Sequence, residues 1–193
     1  MGELLPQERK KVQKPLLWVG LASIAMTFAG LTSGYVVSRS SLVAENAWLE
    51  FPLPDQFYWA TAVIFTSSIT MVLAVLSMKR GNGRASRGFL AGTFILGVGF
   101  ALAQWLGWQN LLDRGLFFTG PQSNTAISWV YVLSFLHWLH VLAGLVVLIF
   151  TLIKSLRGGY SATDYQGISV AGIFWHFLDG LWVYLLLFLV FIR

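Results

Sequence analysis

The sequence predicts an all-α, polytopic membrane protein: a single integral domain over residues 1–193, built as five transmembrane helices with the N-terminus inside and the C-terminus outside. Three observations predict it. Only 11% of the residues are charged and 56% are hydrophobic, whereas a soluble domain carries about 25% charged residues. Five runs are long enough to cross a bilayer, which takes about 20 mostly apolar residues. Lysine and arginine are distributed unevenly between alternate connections.

The first run, Leu16–Ser38, follows Arg9, Lys10, Lys11 and Lys14. It is too long for the apolar core of a signal peptide and lacks a small-x-small cleavage site, so it reads as a permanent helix after a short cytoplasmic tail. The second run, Gln56–Met78, begins after Pro52 and Pro54. The third, Gly88–Gln109, begins after the basic turn of Lys79, Arg80, Arg84 and Arg87. A loop over Leu111–Ala126, with Gly115, Gly120 and Pro121, leads to the fourth run, Ile127–Ile153. The fifth, Ile168–Ile192, follows Lys154 and Arg157 and contains the one acid found in any run, Asp179. Trp18, Trp48, Trp59, Trp108 and Trp129 fall near the ends of runs, as interface anchors do.

With the N-terminus inside, ten Lys and Arg residues face inward and three face outward, the three being Arg39, Arg114 and Arg193. Glu45, Glu50, Asp55 and Asp113 fall outside. The net charge of +5 therefore reads as topology, and no nucleic-acid partner is expected. The chain has no cysteine, which excludes disulfides, thiolate metal sites and iron–sulfur clusters. No loop is long enough for a soluble catalytic domain, and no internal repeat suggests an inverted-repeat transporter.

Lipid supplies no hydrophobic drive for helix association, so small residues must allow close packing. Gly30 and Gly34, with Ser23 and Thr27, offer such a face on the first helix. Gly99, Ala103 and Gly107 offer one on the third. Ser67, Ser68 and Thr70 give the second helix hydroxyls that can bond a neighbour or their own carbonyls.

Polar side chains at membrane depth are expensive and call for a partner or a use. The three histidines all lie inside apolar runs. His137 and His140 share one face of the fourth helix, and His176 and Asp179 share one face of the fifth, each pair at i, i+3. At about 1.5 Å per residue, Asp179 lies roughly 15–17 Å and His140 roughly 20 Å above the inner helix ends, so the two faces can meet. Gln104, deep in the third helix, could join them. Three readings stand: a polar core that fixes helix register, a haem or metal site, and a proton path through Asp179. The depths of His140 and His176 differ by roughly 8–10 Å, which weighs against one shared iron.

The motifs add a resemblance. His137-Trp138-Leu139-His140-Val141 with Gly144 resembles the H-G-L-H-V-x-x-G signature of subunit III of the haem–copper oxidases. Phe174-Trp175-His176-Phe177-Leu178-Asp179 with Trp182 resembles the same family's Y-W-H-F-V-D-x-x-W. Leu53-Pro54, then Ser67-Ser68 with Thr70, and Phe100 with Gln104, are similar to its L-P, S-S-x-T and F-x-x-x-Q patterns. The likeness extends over essentially all five helices and points to the short, five-helix form.

The resemblance implies an accessory subunit with no redox centre of its own, in a bacterial inner membrane. Haem and copper would reside in partner subunits, above all the catalytic subunit I, and phospholipid would be bound. His137, His140, His176, Asp179 and Gln104 would form the intramembrane polar core. The family's two helix glutamates align with Met26 and Gly107, which puts any role of those carboxylates in doubt here. A quinol oxidase subunit, a cytochrome b-like anchor and a small-solute transporter remain as alternatives, because the choice of electron donor belongs to other subunits.

Overall fold

Helix ends, more than apolar runs, set the lengths of the elements. The computed structural model describes residues 6–120 and 123–192, with side chains from Val12 onward; Pro121 and Arg193, named above, lie outside the described residues. The helices are α1 (Pro6–Ala44), α2 (Asp55–Lys79), α3 (Gly83–Asp113), α4 (Thr125–Leu156) and α5 (Gln166–Ile192). All five are long and apolar enough to cross a membrane, and the described residues form no strand.

Helices α1 to α4 overrun their apolar runs because each continues to a residue that turns the chain. Gly81, Gly115 and Gly158 take left-handed backbone (φ +80°, +74° and +74°) just past α2, α3 and α4, and Asn46 (φ 55°) does so past α1. Behind each, the next N–H turns back to a carbonyl of the last turn, as Asn82 N does to Ser77 O at 2.9 Å and Leu116 N to Leu111 O at 3.0 Å. Asn82 and Asn124 cap the starts of α3 and α4 through their side-chain oxygens.

Helices α2, α3, α4 and α5 close a ring, each packed on the next and α5 on α2. α1 lies outside that ring, against α4 and α5. It docks through Leu21, Phe28, Thr32 and Tyr35, all buried. Leu21, Phe28 and Tyr35 are seven residues apart, the spacing that keeps one seam against a partner over several turns. At one end of the bundle Gln13, Thr151, Tyr160 and Gly167 come together around a hollow. At the other, Asn124 Nδ2 donates to Ala47 O at 2.9 Å and Arg114 Nη1 to Pro52 O at 3.3 Å, tying the two longer connections together.

Candidate functional site

The chemistry concentrates on the seam between α2 and α5. Trp175 Nε1 donates to Ser67 Oγ at 3.1 Å, and that hydroxyl donates to Thr93 O of α3 at 3.2 Å. Thr70 Oγ1 lies 2.9 Å from Thr93 Oγ1. Two turns away, Trp182 Nε1 donates to Thr61 Oγ1 at 2.9 Å. Buried indole N–H groups need an acceptor, and here α2 hydroxyls supply it. Successive residues on a helix point about 100° apart, so Ser67 and Trp175 meet in the core while their neighbours Ser68 and His176 meet at its rim. Ser68 Oγ lies 2.6 Å from His176 Nδ1. Asp179 Oδ2 lies 3.9 Å from the same nitrogen.

Trp182 is the hub of the core. Its ring centroid is 5.5 Å from Phe57, 5.3 Å from Phe100 and 5.4 Å from His137. One ring thus touches α2, α3 and α4 from α5.

The polar residues named from sequence divide into separate settings. His176 and Asp179 share the Ser68 corner. His137 is fully buried among Phe28, Phe100 and Trp182, and neither ring nitrogen has a hydrogen-bond partner among the described residues. His140 Nδ1 donates to Leu136 O of its own helix at 2.7 Å, with its ring edge-on to Phe28. Gln104 is fully buried, and its amide likewise has no partner among the described residues. The same holds for both carboxyl oxygens of Asp179. No hydrogen bond among the described residues joins a histidine of α4 to Asp179. Among these residues no group of three or more His, Cys, Asp or Glu could hold a metal ion.

The small residues divide as well. A Cβ on Gly107 would run into the Phe57 ring, one on Gly34 would meet Trp129 at 3.0 Å, and one on Gly99 would touch Val63 at an ordinary 3.8 Å. Ala103 packs partly buried against the core. Gly30 has nothing within 4 Å, and with Ser23 and Thr27 it faces outward. Two further tight positions were not singled out as packing sites from sequence. A Cβ on Gly97 would lie 2.6 Å from Trp175, and one on Gly144 would lie 2.9 Å from Leu178. Gly144 carried a signal, as the last residue of the α4 motif; Gly97 carried none beyond being a glycine in mid-helix. Of the two positions aligned with family glutamates, Met26 is 75% exposed. Gly107 has no space for a side chain without moving Phe57.

Residues 48–192 match the family described as cytochrome c oxidase subunit III. The chain is 32% identical over 178 residues to a probable cytochrome c oxidase subunit 3 of Mycobacterium bovis, an alignment covering 91% of this chain and 85% of the relative. It is 30% identical to the cytochrome bo(3) ubiquinol oxidase subunit 3 of Pseudomonas putida, over 86% of this chain and 79% of that one. A probable cytochrome c oxidase subunit 3 of Nocardia farcinica is 29% identical over 92% and 86%.

Proposed function

The chain belongs to the cytochrome c oxidase subunit III family, and from that premise we propose that it serves as the accessory subunit of a proton-pumping haem–copper terminal oxidase in a bacterial inner membrane. The N-terminus lies inside, as the gathering of Lys79, Arg80, Arg84, Arg87, Lys154 and Arg157 on the same side as Lys14 supports. Oxygen reduction takes place on the haem and copper of a partner, catalytic subunit I. This chain supplies a rigid wall to that partner, holds phospholipid and supports proton uptake.

The observation that carries this reading is the α2–α5 seam. The residues that resemble the family's α5 signature, Trp175, His176 and Trp182, each bond a hydroxyl of α2. They are engaged in fixing two helices against each other, and His137 is enclosed by aromatic rings. In this reading they act as supports between helices. A groove of about 500 Å³ between α1 and α3, walled by Leu31, Trp105, Phe118 and Phe135, suits an acyl chain.

The test is to purify the tagged chain in mild detergent and record a reduced-minus-oxidised spectrum beside a subunit gel. Haem should co-purify and follow a larger, multi-helix polypeptide when the complex is split. Haem staying with this chain alone, or a colourless protein alone, would refute the reading. A quinol oxidase of the same superfamily is the second reading, favoured by the ubiquinol oxidase subunit 3 of P. putida. Oxygen uptake by the purified complex with reduced cytochrome c, against uptake with a quinol, separates the two.

A further inference from the structure

Gln104 and His137 are both 0% exposed, and neither the amide nor the imidazole has a hydrogen-bond partner among the described residues. Their helices, α3 and α4, are pinned at two points. Trp138 Nε1 donates to Ala101 O at 3.1 Å, and Trp108 Nε1 to Ser134 Oγ at 3.0 Å. Gln104 falls between Ala101 and Trp108 on α3, and His137 falls between Ser134 and Trp138 on α4. The two pins therefore set Gln104 and His137 at the same level of the bundle. Both lie on inward stripes, Gln104 with Phe100 and Gly107, His137 with Ser134 and Val141, all buried and spaced by three or four residues. Phe100, one turn from Gln104, packs edge-on against the His137 ring at 6.0 Å.

The side-chain donors around them are already engaged. The indoles of Trp108 and Trp138 form the two pins, the Ser134 hydroxyl donates to Val130 O at 2.6 Å, and Trp182 Nε1 donates to Thr61 Oγ1 at 2.9 Å. The rings of Phe28, Phe100 and Trp182 enclose His137 and offer its nitrogens no acceptor. Polar groups left unsatisfied at this depth are costly, because hydrocarbon neither donates nor accepts. A neutral imidazole needs one donor and one acceptor; a primary amide brings both. No direct bond joins the two side chains. Water is the small group that bridges polar atoms across a gap too wide for a direct bond, and buried waters characteristically sit where two or more polar groups have no other partner.

We infer that one water molecule is built into the core between α3 and α4, bonded to the Gln104 amide and the His137 imidazole. Either tautomer of His137 serves. Water donates to the bare ring nitrogen and accepts from the amide N–H, or accepts from the ring N–H and donates to the amide carbonyl. The site is independent of the complex in which the chain works, because every group in it belongs to this chain. It makes the register of α3 against α4 depend on a solvent molecule taken in when the helices close.

Two measurements on the full chain, purified with whatever it assembles with, test this. The first is radiolytic labelling, in which X-rays make hydroxyl radicals from bound as well as bulk water. The reporter is Trp182, 0% exposed and 5.4 Å from the His137 ring. The comparison is Trp175, 1% exposed and bonded to Ser67. Trp182 should be hydroxylated several times faster than Trp175, and the excess should vanish in Gln104→Met, which conserves volume. Equal labelling of the two indoles in the unsubstituted chain would overturn the proposal. The second is a thermal double-mutant cycle of Gln104→Met and His137→Phe. Each single change strands the water and the remaining polar group, and should lower the midpoint by about 2–4 °C. The double change removes every unsatisfied group, so its midpoint should lie above the sum of the single losses. Single changes that raise the midpoint, and add, would show two unbridged side chains and overturn the proposal. Coupling without excess labelling of Trp182 would show a direct bond in place of the water and overturn it as well. If His137→Phe does not fold, the labelling of the unsubstituted chain decides alone.

Discussion

The ring of α2–α5 and the outlying α1 are held by different means. Inside the ring, indoles and hydroxyls cross-link the helices: Trp175 and Trp182 bond α2, Trp108 Nε1 donates to Ser134 Oγ at 3.0 Å, and Trp138 Nε1 to Ala101 O at 3.1 Å. α1 packs through the stripe of Leu21, Phe28 and Tyr35, with Thr32 reaching Tyr184. The family match begins at residue 48 and therefore covers the ring and leaves α1 out. A packed stripe can be rebuilt from many apolar sequences.

Three substitutions sharpen the contrast. Trp182→Ala should have the largest effect, destabilising the ring by about 3–5 kcal/mol, because it removes the ring that touches α2, α3 and α4 and leaves Thr61 without its partner. Thermal unfolding followed by near-ultraviolet circular dichroism reads this; an unchanged midpoint would refute the hub. Gly97→Val should come next, at about 1–3 kcal/mol, since its Cβ would meet Trp175 at 2.6 Å and Leu145 at 2.8 Å. The matching change on α1, Gly30→Val, should leave the midpoint within error. If both changes cost the same, ring and outlier are not held differently. Smallest is Thr32→Val, which removes the bond between α1 and α5 for about 0.6 kcal/mol. Limited proteolysis of the α1–α2 connection should quicken while the midpoint of the ring holds. A fall in that midpoint would show α1 to be part of the same cooperative unit.

The five helices could be read from sequence because apolar length and flanking charge are strong, local signals. Their true ends could not. Ser38, Arg39 and Ser40 end the apolar run without ending the helix, which stops only where Asn46 adopts left-handed backbone. The residues of the α2–α5 seam were legible only as motifs. That Ser67 belongs to Trp175 and Ser68 to His176 depends on the register of two helices far apart in sequence. The face of α1 was the hardest to read. Small residues suggested Ser23, Thr27 and Gly30, while the described contacts run through Leu21, Phe28, Thr32 and Tyr35. The seven-residue recurrence of large side chains was present in the sequence, but an apolar helix gives no contrast against which to see it. The settings of His137 and Gln104 needed the fold, since neither is marked out by a bonded partner.

The seam between α2 and α5 also sets a schedule for making the protein. Ser68 and His176, like Ser67 and Trp175, stand 108 residues apart, and Thr61 and Trp182 stand 121 apart. At about 5–20 residues per second, α2 waits roughly 5–20 s in the bilayer before the indoles that bond it have been synthesised. Its hydroxyls are suited to the wait, because serine and threonine can bond carbonyls of their own helix in the meantime. A ribosome stalled before α5 would leave α2 and α3 inserted with Thr61, Ser67 and Ser68 unclaimed by any indole or imidazole.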